Sequence, residues 1–380
     1  MRKSVAVLDI GSSAITVIVG ERGVNNSFSL KARAERAYEG FSEGQFFSEE
    51  SLEIAIKETV EEVNENLTKP IKEIYVGVPG AFVRLENKKY RISFGKVKKI
   101  RQKDVDELFN EGQALIETEG YEVIGRSETF FALDDSRRVA NPIGVVSSTI
   151  GGAITYVLCE VGFVSILRQI LAKVQINSVN FVYQGQAIGT YLLSYTEREI
   201  PALIMDVGYI TTDITVHMGN GILAKTTEDF GGGFLTFVLV KEFGLDPESA
   251  EILKRDINLS YSRKMDSVYK VVTQDGLREF SVETVNEKII ECIDGFIGTV
   301  NDFSDDNLQV LGESPTIYLT GGGLSYLRGI KSHLLARFGE TVEILAPTVP
   351  FYSKAGESSK FALLDYALKD KANKIKIFHF

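Results

Sequence analysis

Asp9 and Asp206 each end an apolar run and each precede a glycine turn bearing hydroxyl side chains. The surrounding stretches are SVAVLDIGSSAITVIVG (4–20) and ALIMDVGYITTDITV (202–216), and they share one plan. An apolar strand (Val5–Leu8, Leu203–Met205) meets Asp9 or Asp206. A turn follows, with Gly11, Ser12 and Ser13 in one case and Gly208, Thr211 and Thr212 in the other. β-Branched strands then leave, Ile15–Val19 and Ile214–Val216. Glycine lets consecutive backbone N–H groups converge on an anion. A carboxylate beside such a nest repels phosphate directly but serves it through a hydrated Mg²⁺. Taken alone, Asp-Ile-Gly-Ser-Ser is equally a plain tight turn. Two copies in one chain point to two phosphate-holding hairpins that face each other.

The strand after each turn excludes the common helix-based nucleotide folds. In those, the glycine turn opens a helix whose N-terminus meets the phosphate. Here the following residues prefer strand, and no Gly-Lys-Ser/Thr follows the first turn. A third glycine run, Gly321-Gly322-Gly323, follows the strand Ile317–Leu319 and precedes a helix, where backbone can lie against a flat ligand. A tight strand-to-helix turn explains the same run. Gly231-Gly232-Gly233 opens another helix. Glu251, Lys254 and Arg255 share one turn of a helix, in reach of a ribose and base or simply at the surface.

The elements that must position these residues are readable in outline. Residues 4–37 form three strands with a turn at Gly23–Asn26. Leu52, Ile56, Val60, Val63 and Leu67 recur at helical spacing over 49–67, with Ser48 as N-cap and Pro70 as the stop. A buried strand covers 73–78. This β-β-β-α-β order is not strand–helix alternation. Residues 80–163 read as an inserted small α/β subdomain, with a helix at 102–117 and strands within 123–133 and 153–161. Nine Lys or Arg residues against Glu86 between Arg84 and Lys103 give it one basic face, a solvated surface or a binding patch. Helices at 164–175 and 183–195 lead to the second hairpin. A strand at 221–228, a helix at 234–243, alternating acidic and basic helices over 247–302 and a polar loop at 303–315 follow. Strand, glycine turn and helix complete 316–339.

Composition sets the broad class. The chain is 44% hydrophobic and 25% charged, ordinary for a globular protein long enough for two or more domains. A net charge of −10 argues against a nucleic-acid partner. Cys159 and Cys292 sit in apolar contexts without metal-type spacing and read as reduced thiols of a cytoplasmic protein. No apolar run approaches the roughly 18 residues of a membrane span.

The full set resembles the actin, Hsp70 and sugar-kinase superfamily, and within it the bacterial cell-division FtsA family. EIYVGVPGAFV (73–83), DVDELFNEGQAL (104–115), NPIGV (141–145) and GGGFLTFVLVKEFGLDPESAEILK (231–254) carry the resemblance. It implies an α/β, actin-like two-lobed ATPase fold, built from duplicated ribonuclease H-like domains, with an FtsA-type inserted subdomain. Subdomain IA would comprise 1–79, 164–195 and 360–380; IC, 80–163; IIA, 196–240 and 316–359; and IIB, 241–315. ATP and Mg²⁺ would lie between the lobes. Asp9 and Asp206 would hold the metal through waters. Gly11, Ser12, Ser13, Gly208, Thr211 and Thr212 would hold phosphates. Gly231, Gly232, Gly233, Gly321, Gly322 and Gly323 would line the nucleotide, with Glu251 and Lys254 on the adenosine. In actins a glutamine of the connecting helix helps place the attacking water; Gln186 is the candidate here and Gln184 the second.

The resemblance further implies a cytoskeletal scaffold that self-associates into filaments and links FtsZ to the division machinery. FtsZ would bind by its C-terminal peptide around 245–310, and other division proteins would bind at 80–163. Two departures qualify this. FtsA-like phosphate turns continue with Lys where Ala14 stands, and Tyr209 and Ile210 replace glycines in the second turn. A lost cation implies an ATPase that is slow at most. The segment Lys369–Phe380, basic and apolar but short, is expected to contact the inner face of the membrane peripherally, or else to form an extra strand or a frayed end. A pilus or secretion-assembly adaptor of the same fold is the alternative. A superfamily kinase or phosphatase would need a further carboxylate over a second substrate, and only Asp9 and Asp206 stand out.

Overall fold

The computed structural model describes residues 4–24, 27–260, 267–312, 315–339 and 341–377, the last four as backbone only. The chain opens with β1 (Val5–Ile10), β2 (Ala14–Arg22) and β3 (Phe28–Ala37), an antiparallel meander. A two-residue ladder of β4 (Phe41–Ser42) and β5 (Gln45–Phe46) leads to α1 (Glu49–Glu65). Ser48 caps that helix as its spacing predicts, its Oγ accepting from the Ser51 amide at 3.1 Å. β6 (Glu73–Val78) then returns parallel to β1.

The insert begins at this point. β7 (Val83–Lys99), α2 (Gln102–Gln113), β8 (Tyr121–Ala132), β9 (Arg138–Val139) and β10 (Val146–Glu160) make a sheet of order β7-β10-β8-β9 with α2 against it. Its own core gathers Ile100, Leu108, Phe131, Ile154 and Tyr156. Much of the basic run lies on the edge strand β7, where charged side chains discourage pairing with other chains. Lys98 is tied to Asp104 at 2.6 Å, while Lys89, Arg91, Lys96 and Lys99 are exposed.

α3 (Val161–Lys173) and β11 (Ser178–Tyr183) complete a five-stranded sheet of order β11-β6-β1-β2-β3, and α4 (Gln184–Leu192) leaves it. The second lobe repeats the plan. β12 (Ala202–Val207), β13 (Thr212–Met218) and β14 (Gly221–Glu228) form the meander. After α5 (Gly232–Phe243) and α6 (Pro247–Asp256) the expectation of continuous helices fails. A hairpin, β15 (Val268–Thr273) with β16 (Gly276–Ser281), stands between them and α7 (Val282–Asp306). Its signal was the period-two burial of Tyr269 and Val271. Nor is 303–315 a loop among the described residues. α7 runs through Asp306 and a single turn, α8 (Leu308–Leu311), follows. β17 (Thr316–Thr320), α9 (Ile330–Phe338) and β18 (Val342–Ile344) finish the sheet β14-β13-β12-β17-β18. Both sheets thus join three antiparallel strands to two parallel ones in the same order, a duplication visible strand for strand.

α10 (Ser358–Ile377) closes the chain and packs with α4 between the two sheets. Val7, Tyr75, Ile188, Ile204, Tyr318 and Phe361 share that central core. The tail expected to follow the last helix is instead its continuation as far as Ile377, not a strand, and 378–380 lie outside the described residues. Part of its charge is committed. Lys369 pairs with Asp365 at 2.7 Å, Lys371 with Glu73 at 2.5 Å, and the Tyr75 hydroxyl donates to Asp370 at 2.8 Å. Among the described residues no helix is long and apolar enough to cross a membrane.

The α4–β13 contact has a measurable consequence. His217 is buried, its Nε2 lies 3.0 Å from Thr215 Oγ1, and its ring occupies the space a side chain at Gly189 would need. Burial, with the nearby Arg198 charge, pushes the imidazole down to about 3. An unfolded histidine takes up its proton near 6.5. The folded one does not, so stability drains away as pH falls from about 6.5 towards 3, at about 1.4 kcal/mol per pH unit. Urea midpoints at pH 6.5 and 5 are expected to show this loss in the natural chain. In His217→Phe the loss should be smaller by about 2 kcal/mol, and equal acid sensitivity would rule the effect out.

Candidate functional site

The two glycine turns meet. The Gly11 amide donates to Ala14 O at 3.0 Å and the Gly208 amide to Thr211 O at 2.9 Å, so both turns close in the same way. Between them the Ile210 amide donates to Ser12 Oγ at 3.0 Å, bridging the lobes. They line one wall of a cleft of about 710 Å³, within the range of small-molecule sites. Asp9, Gly11, Ser12 and Ser13 face it from the first lobe; Asp206, Gly208 and Thr211 face it from the second.

The other glycines pack this wall rather than decorate it. The Gly232 amide donates to Gly208 O at 3.0 Å and the Gly323 amide to Val207 O at 2.8 Å. A Cβ on Gly323 would fall on Gly208 O, and Gly321, at φ +82, presses against the Asp206 carboxylate. Gly232, Gly321, Gly322 and Gly323 line the cleft. Gly231 and Gly233 instead lie against Tyr209 and shape the start of α5. Thr212, expected at a phosphate, is fully buried and donates its hydroxyl to Phe230 O at 2.6 Å, because its place on β13 points it away from the cleft. Glu251 and Lys254 reach the far end. Lys254 Nζ lies 2.6 Å from Glu251 and donates to Gly232 O and Thr236 Oγ1, both at 2.8 Å.

The glutamine assignment reverses. Gln184 Nε2 donates to Asp9 Oδ1 and to Ile10 O, each at 3.0 Å, and lines the cleft. Gln186 is two positions along the helix, which turns it to the Asn220 carbonyl at 3.2 Å. A two-residue step rotates a side chain by over half a turn, so only one of the pair can face Asp9.

Electrostatically the cleft is acidic at its centre. Burial, then the neighbouring Asp213 and Asp9 charges, push the Asp206 carboxyl up to about 7. Burial also raises Asp9, against the lowering influence of Lys360. The reading that only Asp9 and Asp206 stand out needs correction, because Asp213 and Glu35 line the cleft as well. Both are engaged. Asp213 accepts from the Gly80 amide at 3.0 Å and from the Thr227 hydroxyl at 2.7 Å. Glu35 accepts from Thr16 at 2.9 Å and Arg33 at 3.0 Å. Asp213 had a signal, closing the same DVGYITTD block as Asp206. Lys354, Ser359 and Lys360, which arrive from the C-terminal end of the chain, had none.

Comparisons with known proteins place this geometry. Residues 80–158 match the family model of the SHS2 domain inserted in FtsA. The cell division protein FtsA of Escherichia coli is 19% identical over 253 residues, 67% of this chain and 60% of that protein. The chain thus matches under two thirds of that relative's length. FtsA of Bacillus subtilis is 21% identical over 356 residues, 90% of this chain and 78% of the relative. Among solved structures, the PilM–PilN type IV pilus biogenesis complex superposes with a TM-score of 0.65 at 17% identity, covering 97% of this chain and 99% of that one. MreB5 of Spiroplasma citri bound to AMPPNP gives 0.55 at 12% identity, covering 99% and 98%. The chain therefore has the actin-like α/β fold, carries the FtsA-type SHS2 insert at 80–158, and is similar to the FtsA family over most of its length.

Proposed function

We propose that the chain is an actin-like, ATP-binding scaffold of bacterial cell division, self-associating into filaments and turning nucleotide over slowly at most. The observation that carries this is the convergence of both Asp-Gly turns and the 321–323 glycines on one cleft. The donor set suits an adenine nucleotide with a hydrated metal. Ser12, Ser13 and Thr211 at the two turns line the cleft and offer hydroxyls to phosphate oxygens, and closely packed glycines leave a flat wall for a base. Asp9 and Asp206 would hold Mg²⁺ through its waters, a preference of that ion. Mg²⁺ bound there supplies charge neutralisation to the phosphates. Gln184, not Gln186, would orient a water near Asp9. Ser12 would report occupancy, since its Oγ already links the lobes through Ile210. Nucleotide that favours one interlobe geometry thereby sets filament or partner contacts.

The division partners follow from the FtsA likeness: the FtsZ C-terminal peptide at 245–310, other division proteins at the insert, and peripheral membrane contact through the end of α10. A second reading, a pilus-assembly adaptor, draws on the PilM–PilN likeness, which spans nearly the whole of both chains. Calorimetric titration with ATP is expected to show binding that Mg²⁺ tightens at least about tenfold, with phosphate release well below about 1 s⁻¹. Rapid ADP formation that depends on a small-molecule acceptor, which takes the phosphoryl group, would overturn the scaffold reading in favour of a kinase. Pelleting with FtsZ peptide, and with a peptide docked at the insert, separates the division reading from the pilus one.

A further inference from the structure

The turns Asp9–Ala14 and Asp206–Asp213 contain no Lys, Arg or His, so the only charges they bring to the cleft are carboxylates. A polyphosphate carrying three or four charges needs more neutralisation there than one divalent ion gives. Among the described residues, four cationic ones line the cleft: Lys254, Arg255, Lys354 and Lys360. Lys254 is held by Glu251 at the far end, and the Arg255 side chain is 75% exposed with Glu251 at 3.3 Å. Among the described residues, no hydrogen bond or ion pair directs Lys354 to either turn.

Lys360 differs. Its side chain is 15% exposed, on the first turn of α10, beside the β1–β2 turn. The nearest carboxylates, Glu35 at 3.6 Å and Glu357 at 3.7 Å, lie beyond hydrogen-bond reach. Both glutamates are already held by Arg33, Glu357 through two bonds of 2.7 and 3.0 Å and Glu35 through one of 3.0 Å. The ammonium donates to Gly356 O at 3.2 Å, and its charge is felt by Asp9 and Asp206 across the cleft. A cation in the first turn of a helix opposes the helix dipole, and a nearly buried lysine loses side-chain entropy. Neither cost is offset by a tight ion pair.

We propose that Lys360 is the cation that meets the phosphate chain of a bound nucleoside triphosphate, delivered from the last helix instead of from either turn. This rests on the ATP reading above and names the residue that would make the cleft prefer triphosphate. Ala14 lines the same wall, so a lysine placed there stands in for the same charge.

Equilibrium titrations with Mg·ATP, Mg·ADP, adenosine and Mg·tripolyphosphate test this on the natural chain, Lys360→Gln, Lys360→Arg and Ala14→Lys/Lys360→Gln. Lys360→Gln is expected to weaken ATP and tripolyphosphate about tenfold or more and ADP less, leaving adenosine unchanged. Lys360→Arg and the double variant should recover most of the loss. Far-UV circular dichroism and melting of each variant report on folding, and if Lys360→Gln misfolds, Lys360→Met, which keeps the stem and drops the charge, takes its place with the same expected losses. Unchanged ATP and tripolyphosphate binding in Lys360→Gln, with ATP still bound, would overturn the lysine's role alone. An equal loss of adenosine would make the residue structural and overturn it too. A natural chain that binds neither ATP nor tripolyphosphate would overturn the nucleotide reading as well.

Discussion

Asp206→Asn is expected to stabilise the nucleotide-free protein above neutral pH and to abolish its tightening of ATP by Mg²⁺, two effects of opposite sign. Burial and the Asp213 and Asp9 charges hold the folded carboxyl up to about 7, while an unfolded aspartate ionises near 3.8. The folded state therefore keeps a proton that the unfolded state has lost. Below about 3.8 there is no penalty; between 3.8 and about 7 it grows; above 7 it is complete. Asparagine keeps the size and removes the charge. At pH 8 in chelator the variant should gain about 2–4 kcal/mol, and at pH 4 close to nothing. The same change removes one of two carboxylates facing the ion's waters, and ATP affinity in Mg²⁺ should fall at least about tenfold, about 1.4 kcal/mol. Thermal melts at both pH values and a titration with and without Mg²⁺ read both arms. A gain that is the same at pH 4 and pH 8 would refute the electrostatic argument, and undiminished Mg²⁺ dependence would refute the site.

Such opposed effects are the signature of a site whose strain serves binding. They also explain what was legible in the sequence. The hairpins were visible because Val5–Leu8 and Leu203–Met205 are apolar runs that end at a charge, a break no buried strand makes without reason. The duplication followed from seeing that break twice. What composition along the chain could not show was direction. Gln184 and Gln186 are equally plausible letters, and only the rotation of α4 decides which meets Asp9. Thr211 and Thr212 differ in the same way, one to the cleft and the other to Phe230. The β15–β16 hairpin was missed because the letters VYKVVT do not alternate apolar and polar; only their burial does, and the run is too short to outweigh the helical patterns around it. Lys360 was illegible for another reason: it lines the same cleft as Asp9 only because α10 packs back between the sheets.

The root of the insert offers the second large effect. Gly80, the first residue of the SHS2 match, donates its amide to Asp213 at 3.0 Å, while its carbonyl accepts from the half-buried Lys225 at 2.5 Å. One residue thus joins the cleft wall to the inserted domain. A Cβ at this position would land on the Asp213 carboxylate, leaving no room for even a methyl group. Gly80→Ala is therefore expected to cost about 2–4 kcal/mol, from displaced Asp213 and from weakened hydrogen bonding of buried partners. Asp213→Ala alone should also destabilise, because Thr227 and the Gly80 amide lose their acceptor and Lys225 a nearby charge. The double variant separates collision from general fragility. With the carboxylate gone, the alanine methyl has space, so the two penalties should fall short of additive by about 1–3 kcal/mol. Denaturant unfolding of the four proteins completes the cycle. Strict additivity would mean that Gly80 and Asp213 do not share this contact, and that the insert is joined to the cleft by packing alone.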